Sequence, residues 1–333
     1  MNLLRPALLA TALVVSLAAC DAGTSPGGGA PGPAKGAPIA VDLPRADSDF
    51  WNSYARYIPQ YAKDGGLNLM TPTNSQNDIA KLVANTQALT SQGAKAIVMA
   101  PQDTGAIGTI LTQLEQKKIP VVTVDTRPDK GNVYMVVRAD NRAYGQKACE
   151  FLGTKLGGKG KVIEFQGALS SVNGRDRSEA FAEPTDWEGA KASAALQTRL
   201  AQHPDINGIY MQAGGVFLAP TLQLLRTKNL LVPPTDPKHI FIVSNDGIPQ
   251  ELDAIRKGDI DATVSQPADL YAKYALYYAK AAVDGRTFQP GRTDHDSTIV
   301  QIRDGLLEDQ LPAPLVIKDN VDDPALWGNQ IGK

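Results

Sequence analysis

Two aspartates close strongly apolar runs, Asp125 at the end of VVTVD and Asp246 at the end of IFIVSND. A carboxylate in such a place can serve as an acid or base, cap the helix that follows, or accept hydrogen bonds from a polar ligand. As the acid pair of a glycosidase they would need a separation of about 5 to 9 Å, and nothing else in the chain supports that chemistry. His203, His239 and His295 lie far apart, with neither His-Glu-x-x-His nor Cys-x-x-Cys spacing, so no metal site is expected. A Ser-His-Asp reading fails for want of a Gly-x-Ser-x-Gly turn. Gly153 to Lys159 counts like the start of a phosphate loop, but Gly160 stands where Ser or Thr is required and a strand follows, so it reads as a turn. The chain is not expected to be an enzyme or to carry a cofactor.

The bulk composition narrows the field further. Lys and Arg number 33 against 35 Asp and Glu, a formal net charge of -2, so no basic excess exists to hold a phosphate backbone and nucleic acid is not an expected partner. At 333 residues, 43% hydrophobic and 20% charged, the chain can bury the cores of two domains. Cys20 and Cys149 cannot make a disulfide framework. Cys149, in a helix beginning near Asn141, is expected as a buried small hydrophobe.

Residues 1–20, MNLLRPALLATALVVSLAAC, carry one positive charge at Arg5 and an apolar run from Pro6 to Ala19. The run is short for a membrane span of about 20 residues and its flanks are those of an export signal, assigned to residues 1–19. Leu17-Ala18-Ala19-Cys20 resembles the bacterial lipobox, which implies cleavage before Cys20 and lipidation of its thiol; an ordinary secretory peptide with a chance cysteine is the alternative. The resemblance places the protein on the cell membrane by a lipid anchor, facing the periplasm or the extracellular side. Residues 20–37, rich in Gly, Pro and Ala, cannot offset their ordering entropy and form a tether.

From residue 38 the elements that must position Asp125 and Asp246 come into view. Short apolar runs (38–44, 67–72, 94–101, 120–126, 132–141) alternate with stretches of helical period, the first of which, Ser48 to Lys63, is expected to bend or break near Pro59. The runs are nearly continuous in hydrophobicity, as in a parallel sheet covered by helices on both faces. The same alternation restarts after residue 141, with runs at 160–167, 206–214, 239–247 and 262–267 and a Tyr-rich helix at 268–285. The spacing of Tyr271, Tyr274, Tyr277 and Tyr278 predicts a packing stripe. The fold class is α/β, with two doubly wound parallel-sheet domains. Ligands of such sheets sit beyond the carboxyl ends of the strands, where both aspartates fall.

In chain order, DSDFW (47–51), AIVMAPQD, VVTVDT, RADN, QGALSSVNGRDRSEAF (166–181), PTDW (184–187), SNDG (244–247) and ATVSQP resemble the ribose-binding-like group of type I solute-binding proteins that serve ABC importers. The likeness runs from about residue 38 to 318. It implies two lobes joined by a three-segment hinge, 38–139 plus 267–298 and 140–266 plus 299–333, closing on a monosaccharide or related polyol. It also implies an ABC permease and its ATPase as partners of a monomeric receptor. A surface sensor that reports sugar occupancy to a membrane receptor or kinase is the alternative.

By the resemblance, Phe50 and Trp51 would line one sugar face and Trp187 the other, since C–H faces favour aromatic rings. Asp125, Arg177, Asp246 and Gln266 would form the polar shell, with Ser48, Thr126 and Asn245 beside them. Singly, each aspartate could be a helix N-cap, each tryptophan a core residue, and Arg177 a solvated charge. Ala100 and Ala213 stand where the ribose-type pattern has asparagines, and Thr126 where it has arginine, with Arg127 one place on; a sugar other than ribose is implied. Between Phe181 and Pro184 only Ala182 and Glu183 remain where the pattern has the end of a helix and a whole strand. The second domain is therefore expected to lack an edge strand and its shortened helix to leave apolar surface uncovered, giving either a lobe that still binds or a deletion product whose carboxyl-terminal lobe is destabilised.

Overall fold

The computed structural model describes residues 36–177 and 183–331; the export signal, Cys20 and the tether as far as residue 35 lie outside them. The chain opens with β1 (Pro38–Leu43), α1 (Asp49–Asp64), the two-residue strands β2 (Asn68–Leu69) and β3 (Thr73–Asn74), and α2 (Ile79–Ser91). Next come β4 (Ala96–Met99), α3 (Gly108–Gln116), β5 (Val121–Val124) and β6 (Met135–Ala139). α4 (Asn141–Lys155) leads into a second sheet: β7 (Val162–Gln166), α5 (Val172–Arg177), β8 (Glu183–Pro184), α6 (Gly189–Gln202), β9 (Gly208–Met211), α7 (Gly214–Thr227), β10 (Phe241–Asp246), α8 (Pro249–Lys257) and β11 (Ala262–Ser265). α9 (Ala268–Val283) returns to the first sheet, which gains β12 (Gly291–Arg292), β13 (Thr298–Arg303) and β14 (Leu306–Leu311). β15 (Leu315–Ile317) joins the second sheet, and α10 (Trp327–Gln330) follows.

The first sheet runs β12-β13-β14-β6-β5-β4-β1-β2, with β3 beside β1, and the second runs β15-β11-β10-β9-β7-β8. Strands β4, β5, β9 and β11 are buried at every position, because helices cover both faces. Pleating divides β1 between two cores: Ile39 and Val41 face α1 and α9, while Ala40 faces α2 and α3. Tyr271 and Tyr278 are fully buried in that packing, while Tyr277 of the same stripe points outward.

Four expectations are corrected. α1 is continuous through Pro59, because Pro59 is exposed and the carbonyl one turn back, on half-buried Ala55, can turn to water. The third passage between lobes falls between Leu311 and Leu315, not near residue 298, because β13 and β14 extend the first sheet and β14 pairs in parallel with β6. The edge of the second sheet is not vacant: β8 occupies it with two residues, Glu183 opposite Phe165 and Pro184 opposite Gln166. Cys149 is exposed, since α4 turns it away from the buried Ala148 and Leu152.

A groove of about 1000 Å³ opens along α4 and the second sheet, lined by Cys149, Leu152, Val162, Ile206 and Tyr210 among others. The end of the helix that was expected to be shortened lies outside the described residues. In the native protein with Cys20 replaced by serine, Cys149 should react with a thiol reagent at close to the rate of a free thiol. Protection until unfolding would contradict this placement.

Candidate ligand-binding cleft

The carboxyl ends of both sheets meet across a small cleft. Asp125 follows β5 and Asp246 ends β10, each with positive φ (63° and 120°). A strand end that turns this way directs its side chain off the sheet axis, at a strain normally tolerated only where surroundings fix it. Gly215 N–H donates to Asp246 Oδ2 (2.8 Å) and Gln266 Nε2 donates to Oδ1 (2.8 Å). Burial nevertheless pushes the Asp246 carboxyl up to about 6. Glu251, behind it, is fully buried and accepts from the backbone N–H groups of Gly247 and Ile248 (2.6 and 3.0 Å) and from the Thr263 hydroxyl (3.1 Å); burial and the neighbouring Asp246 raise its carboxyl strongly.

Arg177, at the end of α5, ties the cleft together. Its Nε donates to Asn141 Oδ1 (2.6 Å), Nη1 to the Gln212 carbonyl (2.7 Å) and Nη2 to Gln266 Oε1 (3.1 Å), while Nη2 stands 3.8 Å from Asp125 Oδ1. The guanidinium lies 5.4 Å from the Tyr144 ring and 5.7 Å from the Trp187 ring, a position that favours a cation over aromatic faces. Burial raises the Asp125 carboxyl, opposed by Arg177 and Arg138.

The aromatic walls come from both lobes. Phe50 and Trp51 stand in the first turn of α1, edge to face at 5.2 Å, and Phe50 also meets Tyr271 and Trp327 edge-on. Trp187 is set by a turn in which Thr185 bonds back to the Gln166 carbonyl, and Asp186 and Trp187 take positive φ (52° and 61°). Its ring stacks on Phe217 (6.3 Å, 14°) and rests on Gly167, where an added Cβ would come within 1.8 Å of the indole. Gly167→Ala should therefore displace Trp187 and lower stability by about 1–3 kcal/mol, seen as a shifted urea midpoint and altered indole fluorescence. An unchanged midpoint would contradict the packing.

Ser48, Phe50, Trp51, Asp125, Arg177, Trp187, Asp246 and Gln266 all line the cleft. Two expected residues do not. Thr126 folds back onto the Val124 carbonyl (3.4 Å), and Asn245 points into the sheet's packing, where its amide donates to the Tyr210 hydroxyl (3.0 Å). Arg127 turns away to Glu308 and Asp176. The sequence reading missed Arg45, Gln102, Ser171 and Asn173, which also line it; Gln102 was visible as the first amide past the end of β4. Asp125 Oδ1 and Trp187 Nε1 are buried without a hydrogen-bond partner, a costly state that a ligand's hydroxyl and acceptor groups would relieve. Among the described residues no group of three or more His, Cys, Asp or Glu is placed to hold a metal.

Two doubly wound lobes whose strand ends face one another over a polar cleft walled by aromatic rings define a solute receptor. Residues 39–287 match the periplasmic binding protein domain. The chain belongs to that family, which consists of extracytoplasmic solute-binding proteins rather than enzymes. It is 29% identical to the ribose import binding protein of Salmonella typhimurium over 264 residues, covering 75% of this chain and 86% of the relative. It is 23% identical to the xylitol-binding protein of Mycolicibacterium smegmatis, covering 79% and 72%. An ABC transporter solute-binding protein from Mycobacterium smegmatis, solved with bound glycerol, superposes with a TM-score of 0.73 at 25% identity, covering 86% of this chain and 96% of that one.

Proposed function

We propose that this chain is the extracytoplasmic binding component of an ABC importer for a monosaccharide or related polyol, held at the cell membrane by lipidated Cys20. The observation that carries the ligand class is the meeting of Asp125, Arg177, Asp246 and Gln266 with the rings of Phe50, Trp51 and Trp187 in one cleft. Carboxylates and a guanidinium suit vicinal hydroxyls, which donate and accept together, while the rings suit C–H faces. Relatives that import ribose and bind xylitol support the same class.

The cleft encloses about 40 Å³, room for about three water-sized probes and too little for a sugar ring. Ligand entry therefore requires the lobes to part and reclose about the hinge, with the permease reading the closed form. Deletion of the gene should abolish cellular uptake of the solute that the purified protein binds. Uptake that survives while a signalling response to that solute is lost would replace transport by sensing. In globomycin-treated cells the protein should accumulate as the uncleaved precursor; normal processing would argue against lipidation.

A further inference from the structure

Outside the cleft, the lobes are joined by a cluster of charges that does not line it. Within the first lobe, Arg127 and Arg138 face a single buried carboxylate, Glu308 on β14, at 3.1 and 3.6 Å. Arg138 and the Glu308 side chain are each about 1% exposed, while Arg127 is partly exposed. Asp125, also of the first lobe, acts on Arg138 and stands 3.8 Å from Arg177 of the second lobe. The second lobe adds a further carboxylate: Asp176 on α5 reaches Arg138 Nη1 at 3.2 Å and Arg127 Nη2 at 3.5 Å.

The same arginine grips a second residue of α5. Arg138 Nη2 donates to Asn173 Oδ1 (2.8 Å), one turn before Asp176, on the same helix face. α5 presents Asn173 and Arg177 to the cleft. A second contact lies further out, where Arg175 Nη2 bonds both oxygens of Asp129 (2.7 and 2.9 Å) and the Thr104 backbone N–H donates to the Ser170 carbonyl (3.2 Å).

We propose that Asp176 is a positioning residue: docked between Arg127 and Arg138, it latches the lobes together and fixes α5, so that closure and completion of the ligand site are one event. This rests on the hinge-closure reading above. On opening, buried Arg138 loses both Asp176 and Asn173. Removal of one member of a buried charge pair leaves the other uncompensated, so Asp176→Asn disfavours the closed state, whereas Asp176→Glu retains the charge.

The test uses the chain bearing Cys20→Ser, with spin labels on Cys149 and on a cysteine introduced at exposed Gln92, and reads the distance distribution without added solute. The closed population should fall at least threefold in Asp176→Asn and be largely retained in Asp176→Glu, with both variants melting cooperatively. Asp129→Asn, at a partly exposed pair, should shift the distribution the same way but less, and 1 M NaCl should reproduce that smaller shift. If Asp176→Asn fails to melt cooperatively, Asp129→Asn and the salt series decide the matter. A wild-type distribution in folded Asp176→Asn, or in Asp129→Asn and at high salt, overturns the latch. If a sugar or polyol moves the distance and these variants do not, only the latch fails; if nothing moves it, hinge closure fails as well.

Discussion

Asp246→Asn should weaken solute binding by at least 100-fold while the protein still melts cooperatively. The carboxylate is positioned by Gly215 N–H and Gln266 Nε2, and a hydrogen bond to a charged group contributes about 1.5–3 kcal/mol. Loss of two such bonds to ligand hydroxyls costs about 3 kcal/mol or more, on the order of 100-fold in Kd. The amide keeps the size of the carboxylate but not its charge, and its NH2 faces one of the two protein donors, so the site loses its anchor while the fold is kept. Calorimetric titration reads the effect, and retained affinity would remove Asp246 from the site.

The same group gives a pH dependence of definite sign. Burial pushes Asp246 up to about 6, so the unliganded fold takes up a proton there that the unfolded chain releases until near the ordinary value of 3.8. The stability cost of the buried charge is present above pH 6 and is relieved as pH falls from 6 toward 4. Ligand binding runs the other way, because only the ionised carboxylate accepts two hydroxyls: affinity should be flat above pH 7 and fall about tenfold per unit well below 6. Affinity that rises on acidification would contradict the assignment.

Arg177→Ala should be the most damaging single change in the second lobe. The side chain is 5% exposed, and its removal strands Asn141, the Gln212 carbonyl and Gln266 while leaving Asp125 with one fewer opposing charge. Breaking a buried, hydrogen-bonded charge set by removing one partner costs about 3–5 kcal/mol, readable as a lower urea midpoint. Arg177→Lys should recover part of that stability but little binding, since an ammonium cannot reproduce the planar fork that serves three acceptors. Wild-type stability in Arg177→Ala would mean that these bonds do not hold α5.

The lobes and most of the cleft were legible because parallel strands buried on both faces read as unbroken apolar runs, and because Asp125 and Asp246 stand at their ends. The hairpin β13–β14 was not, and the reason is chemical. LLEDQL holds Glu308 and Asp309 in a buried strand, about 1% and 0% exposed, and two adjacent carboxylates erase its hydrophobic signature. Their partners are remote in sequence: Arg127 and Arg138 for Glu308, and Ser297, His295 and Tyr278 for Asp309. Asn245 precedes a true cleft residue, but successive residues on β10 point to opposite faces; Thr126, placed in the cleft by the resemblance, follows the turn at Asp125 and folds back onto the Val124 carbonyl. Arg45 and Asn173 carried no local signal, since each reaches the cleft through the tertiary placement of a loop and a helix.

Thermal melting of the protein against pentoses, hexoses, polyols and nucleosides decides whether the interlobe cleft is a sugar or polyol receptor site. A solute that binds only the folded form raises the apparent melting temperature by mass action. We expect a concentration-dependent rise with at least one monosaccharide or polyol in the wild-type protein and no rise with the same solute in Asp246→Asn. A cooperative melt that no sugar or polyol shifts, or a shift of equal size in Asp246→Asn, would contradict it.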